Sequence, residues 1–328
     1  MKIVIAGGTG FLGQPLTAAL LGSGHAVVVL TRREQARVAS GAKAVVWEQA
    51  RTRPTWVKEI DGADVVVNLA GEPIGDHRWS AARKQRIEDS RVNATRQLVA
   101  AILDAKTPPS VLVSGSAVGF YGPCGDEFVT EDTGAGNDFL AGVCRRWEAQ
   151  AVEASSARTR VVCVRTGLVL DRDGGALPKM LPPFRMGCGG RAGTGRQYWP
   201  WIHRTDWINL IRFAIDTPEL AGPMNATAPE PVTNQVFARE LGKALGRPSF
   251  VPASRLALRL ILGEMADALL LSGQRAVPAK ADRFGYRFTY ETLPQALAAL
   301  FPKGHAAPAA APAAAPTPAP KEEVGAKK

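Results

Sequence analysis

Short, wholly apolar runs recur along the first two thirds of the chain, and most are followed by a stretch with helical spacing. Lys2 to Ala6 (KIVIA) is the first run, and after it Leu12, Leu16, Ala19 and Leu20 fall on one helical side. Ala26 to Leu30, Ala44 to Trp47, Asp64 to Asn68, Ser110 to Ser114 and Arg160 to Arg165 have the same character. Runs of this length without polar alternation belong to strands buried on both faces. Between them, Trp79 to Leu103 places Ile87, Val92, Leu98 and Ile102 at helical spacing, and about Asp138 to Ala154 forms a further helix. Strands alternating with helices predict an α/β fold: a doubly wound parallel (Rossmann) sheet, covered on both faces, with ligands outside the strand carboxyl ends.

The pattern changes after Thr166. Glycine and proline cluster between Gly174 and Gly195, a connection too long to be idle, which closes in YWPWIHRTD ahead of an Ile- and Leu-rich helix. Helices then follow at Asn234 to Leu245, Arg255 to Leu271 and a segment ending at Leu300. The chain therefore divides into a Rossmann domain over 1–170, its sheet completed by parts of 205–228, and a smaller, mainly helical substrate-facing lobe over 171–301. The Ala/Pro alternation of 302–328 cannot bury a core and is expected to be disordered. The apolar run Ala257 to Leu271 is expected to pack in the core rather than lie on a membrane, because Glu264 and Asp267 interrupt it and its polar side lacks a basic stripe.

Composition narrows the function classes. The chain has 328 residues and a net charge of +10, with arginines spread along its length rather than in a basic run interleaved with aromatics, so no nucleic-acid partner is expected. Nothing reads as a transmembrane span, and Met1 stands against the first strand with no room for a signal peptide, so the expected compartment is the cytoplasm, with no membrane partner. Cys124, Cys144, Cys163 and Cys188 include no C-x-x-C pair, which fits a reducing compartment and gives no metal site. A small molecule is the expected partner, and a homodimer is left open.

The chemistry is concentrated at the first strand–helix junction. Gly8, Gly10 and Gly13 satisfy G-x-G-x-x-G: a tight turn, a close approach for a pyrophosphate, and tight packing of helix on strand. The helix then presents its free N–H groups to the phosphates. No Lys-Ser or Lys-Thr follows, which argues against a nucleotide-hydrolysing loop. After the second strand, where an acidic residue would hold a ribose 2′-hydroxyl, the chain has Thr31, Arg32 and Arg33. Guanidinium forks there fit a 2′-phosphate, so NADP is the predicted cofactor over NAD.

Together the glycine turn, NLAG, the SGS…YG strand end and VRTGLVL resemble the extended short-chain dehydrogenase/reductases, the sugar-nucleotide epimerase group. GEPI with RWS, SRVNAT, GRQYWPWIH, NATAPEPVTN and GEMADALLLSGQRAVP are more narrowly similar to its atypical branch, which ends in a C-terminal domain of unknown function. The resemblance covers Met1 to Phe301. It implies cofactor contacts at Gly7, Gly8, Thr9, Gly10, Phe11, Leu12, Gly13 and Arg32, with Leu69, Ala70 and Gly71 along the nicotinamide side. It implies a positioning role for Asn93 and a contact between Ser116 and the reacting oxygen. Arg165, directly after a buried strand, is expected at the ligand end of the sheet, holding an anionic group.

The Tyr-x-x-x-Lys pair of such enzymes is missing. Its positions read Phe139 and Val143, and neither side chain transfers a proton or stabilises a phenolate. Two function classes follow. One is an NADP-dependent oxidoreductase or epimerase-like enzyme acting on an unknown small molecule, such as a sugar or nucleotide-sugar-like compound, with Tyr121 or His203 as the acid. The other is a non-catalytic NADP(H)-binding redox sensor or regulator, linked to cell division in that branch. Trp199 and Trp201 are expected to fill a domain seam rather than stack on a substrate ring.

Overall fold

The computed structural model describes residues 1–48 and 54–302, so the tail expected to be disordered lies, from residue 303 on, outside the described residues. Seven parallel strands form the central sheet: β1 (Lys2–Ala6), β2 (Ala26–Thr31), β3 (Lys43–Val46), β4 (Val65–Asn68), β5 (Val111–Ala117), β6 (Arg160–Thr166) and β7 (Gly222–Ala226). Their spatial order is β3-β2-β1-β4-β5-β6-β7. The direction of progression reverses between β1 and β4, and the crevice outside the strand carboxyl ends at such a switch point is where α/β sheets bind ligands.

The sheet separates two apolar layers. Ile3, Ile5, Val29, Val67 and Val113 face α1 (Gly13–Gly22) and a later helix, Arg204–Asp216, which supplies Trp207, Leu210 and Ile211. Val4, Ala6, Val28, Val66 and Leu112 face the other way, toward Leu98 and Ile102 of the long helix α2 (Ala81–Leu103). Successive strand residues point to opposite faces, so each continuous apolar run fills both layers at once. Ser80 caps α2 and Asp138 caps α3 (Phe139–Val152), each accepting from a backbone N–H three residues on.

A third core holds the helical lobe together. Trp199 and Trp201 are buried in it; Trp199 lies 5.2 Å from Phe237, and the Trp201 indole donates to the Glu230 carbonyl. They are packing residues.

One element departs from expectation. The apolar run after Arg255 is not one core helix: α4 (Arg255–Leu262) stops at Gly263, whose φ of 65° ends it, and a short turn and a π-helical stretch over Asp267–Leu271 follow. No residue of α4 is buried; Leu256 and Leu260 are each 68% exposed and Ile261 66%. The core of the lobe was already filled by Phe237, Leu241, Leu293 and Leu297.

Candidate functional site

The glycine turn lies against the end of β4. A Cβ at Gly7, whose φ is +80°, would stand 2.7 Å from the Leu69 carbonyl, and one at Gly13 would stand 2.3 Å from the Gly7 carbonyl oxygen. The turn therefore tolerates no side chain at either position and brings strand, helix and the Leu69-Ala70-Gly71 wall together. Thr9 and Leu12 complete it, and the Phe11 ring is covered by Gly174 and Gly175 of the glycine-rich connection, where an added Cβ would clash at under 3 Å. Arg32 and Arg33 are exposed past the end of β2, and among the described residues neither ion-pairs with a carboxylate.

At the end of β5 a buried polar chain begins. Ser116 Oγ donates to Glu148 Oε1 at 2.6 Å; Arg165 donates to both oxygens of Glu148, at 2.8 and 2.9 Å. The same guanidinium donates to the Tyr121 hydroxyl at 3.0 Å and to the Glu131 carbonyl at 3.2 Å, and its carbon stands 3.5 Å from the centre of the Phe120 ring. Tyr121 in turn donates to Asn225 Oδ1 at 2.6 Å. Burial works against the Arg165 charge, but the Glu148 hydrogen bonds and the neighbouring negative groups outweigh it and hold its pKa above the ordinary arginine value. Burial pushes Tyr121 up to about 12, against the opposing pull of Arg165.

The start of α3 packs against the segment leading into α2. Phe139 packs edge-on against Trp79, with ring centroids 5.2 Å apart, and Lys84 Nζ lies 4.9 Å from its centroid. Val143 is buried, and burial pushes the neighbouring Cys144 thiol up to about 11. From α2, Arg91 donates to the Ile87 and Glu72 carbonyls, lies 5.3 Å from the Trp147 ring and meets the Gly71 backbone, where a Cβ would be 3.0 Å from its guanidinium carbon.

The chain matches the model of the NAD dependent epimerase/dehydratase family over residues 3–226, and a domain of unknown function, DUF1731, over 253–300. This chain belongs to the NAD dependent epimerase/dehydratase family. It is 41% identical over 297 residues to the epimerase family protein Mb2239 of Mycobacterium bovis, covering 90% of this chain and 96% of that one. The Bacillus subtilis epimerase family protein YfhF is 39% identical over 301 residues, covering 92% and 98%. The crystal structure of human epimerase family protein SDR39U1 (isoform 2) with NADPH superposes with a TM-score of 0.83 at 34% identity, over 92% of this chain and 99% of that one.

Within this epimerase-family frame, the structure gathers the glycine turn, Leu69, Ala70, Gly71 and Ser116 around one crevice. Arg165 and Tyr121 belong to the same buried chain as Ser116, whereas Asn93 and His203 lie apart from it. Asn93 is exposed on α2 and accepts from Arg96; the helix turns Arg91 and Thr95 inward instead, and Thr95 accepts from the Asn68 amide. Arg165 is 4% exposed, and its donors are engaged by Glu148, Tyr121 and the Glu131 carbonyl. Tyr121 is equally buried and its hydroxyl is committed in both directions. His203 caps the helix Arg204–Asp216: its Nδ1 accepts from the Thr205 N–H at 3.1 Å, and its ring lies 4.1 Å from Tyr290. Burial lowers its pKa, though Asp206 and Asp171 pull the other way. Asp206 is fully buried and accepts from the backbone N–H groups of Thr289 and Tyr290.

Two residues were missed. Glu148 reads as one more polar position on a helix, and only the pairing of β5 with β6, which sets Ser116 beside Arg165, brings its partners together. Arg91 had a local signal, two positions before the selected asparagine, in the helical phase of α2 against the NLAG wall.

Proposed function

We propose that this epimerase-family protein binds NADP(H) and catalyses hydride transfer to or from an oxygen-bearing carbon of a small molecule, with Ser116 at the reacting oxygen and Glu148 as its proton partner. The observation that carries this reading is the 2.6 Å hydrogen bond from Ser116 to a carboxylate ion-paired at the carboxyl edge of the sheet.

The residues present fit the dinucleotide. The turn at Gly7, Gly8, Gly10 and Gly13 leaves the backbone bare for a pyrophosphate, and Arg32 and Arg33 offer two guanidinium groups to a 2′-phosphate. The NADPH in the crystal structure of human SDR39U1 supports the same choice. When bound, the dinucleotide supplies or accepts the hydride. Ser116 Oγ accepts the proton of a substrate hydroxyl as its own proton passes to Glu148 Oε1; in the reductive direction both protons move back. Arg165 fixes the carboxylate through two parallel bonds, and Tyr121 anchors Arg165. Sugars and nucleotide-sugar-like compounds are the first substrate class to try.

A second reading, a redox sensor that holds the cofactor without turnover, is favoured by Phe139 and Val143, which fill the positions of the missing tyrosine and lysine with groups that move no proton. Titrating the protein with NADPH and NADH, then mixing the NADPH complex with a panel of carbonyl compounds, separates the two. Loss of the reduced-nicotinamide absorbance with any carbonyl supports the enzyme; tight NADPH binding with stable absorbance across the panel supports the sensor.

A further inference from the structure

The exposed helix α4 is bordered by arginines from its own chain segment and from the glycine-rich connection. Along the helix, Leu256, Ala257, Leu260 and Ile261 share the outward side, while Leu258 and Leu262 are half-buried toward the lobe. The apolar surface continues into the preceding segment, where Phe250 is 77% exposed. That segment runs beside the connection: the Val251 N–H donates to the Gly189 carbonyl, and the Gly193 N–H to the Ala253 carbonyl.

This juxtaposition sets Arg191, Thr194 and Arg196 opposite Ser254 and Arg255, around an open depression of about 470 Å³ with no carboxylate in its lining. Among the described residues neither Arg191 nor Arg196 makes an ion pair; Arg191 Nη1 donates only to the Thr194 carbonyl. Arg255 and Arg259 share one carboxylate, Asp267, which is 3.8 Å from Arg255 and doubly hydrogen-bonded to Arg259. Arg247 adds a further exposed cation at the start of the segment.

From these observations we infer that α4 and the adjacent arginine depression form a peripheral docking surface for an anionic phospholipid bilayer. The leucine and isoleucine side chains enter the boundary between headgroups and acyl chains, and Arg191, Arg196 and Arg255 receive a headgroup phosphate. A helix that lies in the interface needs an outward apolar face and flanking arginine, and both are here. The basic stripe absent from the helix sequence is supplied by the loop packed next to it. A second copy of this chain is the poorer occupant, because a face-to-face pair would bring the arginines of both copies together while the nearby carboxylates are already engaged, Asp267 by Arg255 and Arg259 and Glu264 by Lys84. No described helix is long and apolar enough to cross a membrane, so the contact is with one surface.

The surface also leads to the crevice. At the far end of α4 a Cβ on Gly263 would meet the Arg78 guanidinium at 3.1 Å, and Glu264 pairs at 2.5 Å with Lys84, whose ammonium lies over Phe139. Docking therefore holds the Phe139 side of the crevice near the bilayer.

The test is sedimentation of the full chain with vesicles of phosphatidylcholine alone and with about a quarter phosphatidylglycerol. The expected result is binding to the anionic vesicles only, reduced about tenfold by Leu260→Asp, by the double variant Arg191→Glu/Arg196→Glu and by raised salt. All three side chains are exposed, and an unchanged NADPH titration verifies that each variant is folded. Absence of vesicle binding, equal binding to neutral and anionic vesicles, or binding that both variants leave intact overturns the inference. So does either alternative occupant: a dimer in sedimentation velocity that Leu260→Asp splits while no vesicles are bound, or saturable binding of inorganic pyrophosphate without vesicle binding.

Discussion

Tyr121 and Ser116 both sit at the carboxyl edge of the sheet, yet their hydroxyls have opposite fates. The Tyr121 hydroxyl donates to Asn225 and accepts from Arg165, so replacing it strands two buried groups, and on the proposed reading the reacting pair is Ser116 and Glu148. Tyr121→Phe is expected to lower stability by ~1–3 kcal/mol in denaturant unfolding while any turnover persists. Removing the Arg165 charge is more costly: Arg165→Met leaves Glu148 buried and unpaired, for an expected loss of ~3–5 kcal/mol in the same measurement. His203 adds a pH dependence. Its folded pKa lies below the unfolded value of ~6.5, so in acid the unfolded chain binds the extra proton. The neutral-histidine contribution is complete above about pH 7 and is lost progressively as pH falls through ~6.5. His203→Asn, which can still accept from the Thr205 N–H, should flatten the dependence of Tm on pH between about 7 and 5; an unchanged slope would locate the acid sensitivity elsewhere.

At the level of elements, β1 to β6 were legible because each contains a continuous apolar run, whereas β7, GPMNA, has no such run and was anticipated only as some part of 205–228. The glycine turn was legible for the same local reason. A methyl at Gly13 would meet the Gly7 carbonyl, so Gly13→Ala should weaken NADPH binding and stability together, whereas Arg32→Ala should weaken NADPH about tenfold and leave NADH unchanged. Parallel titrations with the two dinucleotides read both effects. Local pattern failed where a partner from elsewhere decides. Composition made α4 look like core, but the core was already filled from Phe237 and Leu293. Asn93 looked like a site residue by type, and helical phase turned it to solvent.

For the whole molecule, the order of the strands does what no local pattern expresses. Placing β5 beside β6 joins Ser116 to Arg165 through Glu148, three residues spread over fifty positions of sequence, and β7 adds Asn225 to complete the chain to Tyr121. The glycine-rich connection, coming from the other lobe, covers Phe11 at one end and supplies the arginines of the depression at the other. On the proposed reading, the site keeps the cofactor turn of the epimerase family, and the buried serine–carboxylate pair takes the place of the tyrosine–lysine pair.

The most direct test of that replacement is the rate of NADPH oxidation against a carbonyl panel, measured for the parent, Glu148→Gln and Tyr121→Phe under identical conditions. Turnover in the parent that survives in Tyr121→Phe and falls by at least about a hundredfold in Glu148→Gln is the predicted result. Turnover unchanged in Glu148→Gln, or bound NADPH that no carbonyl oxidises, would contradict it.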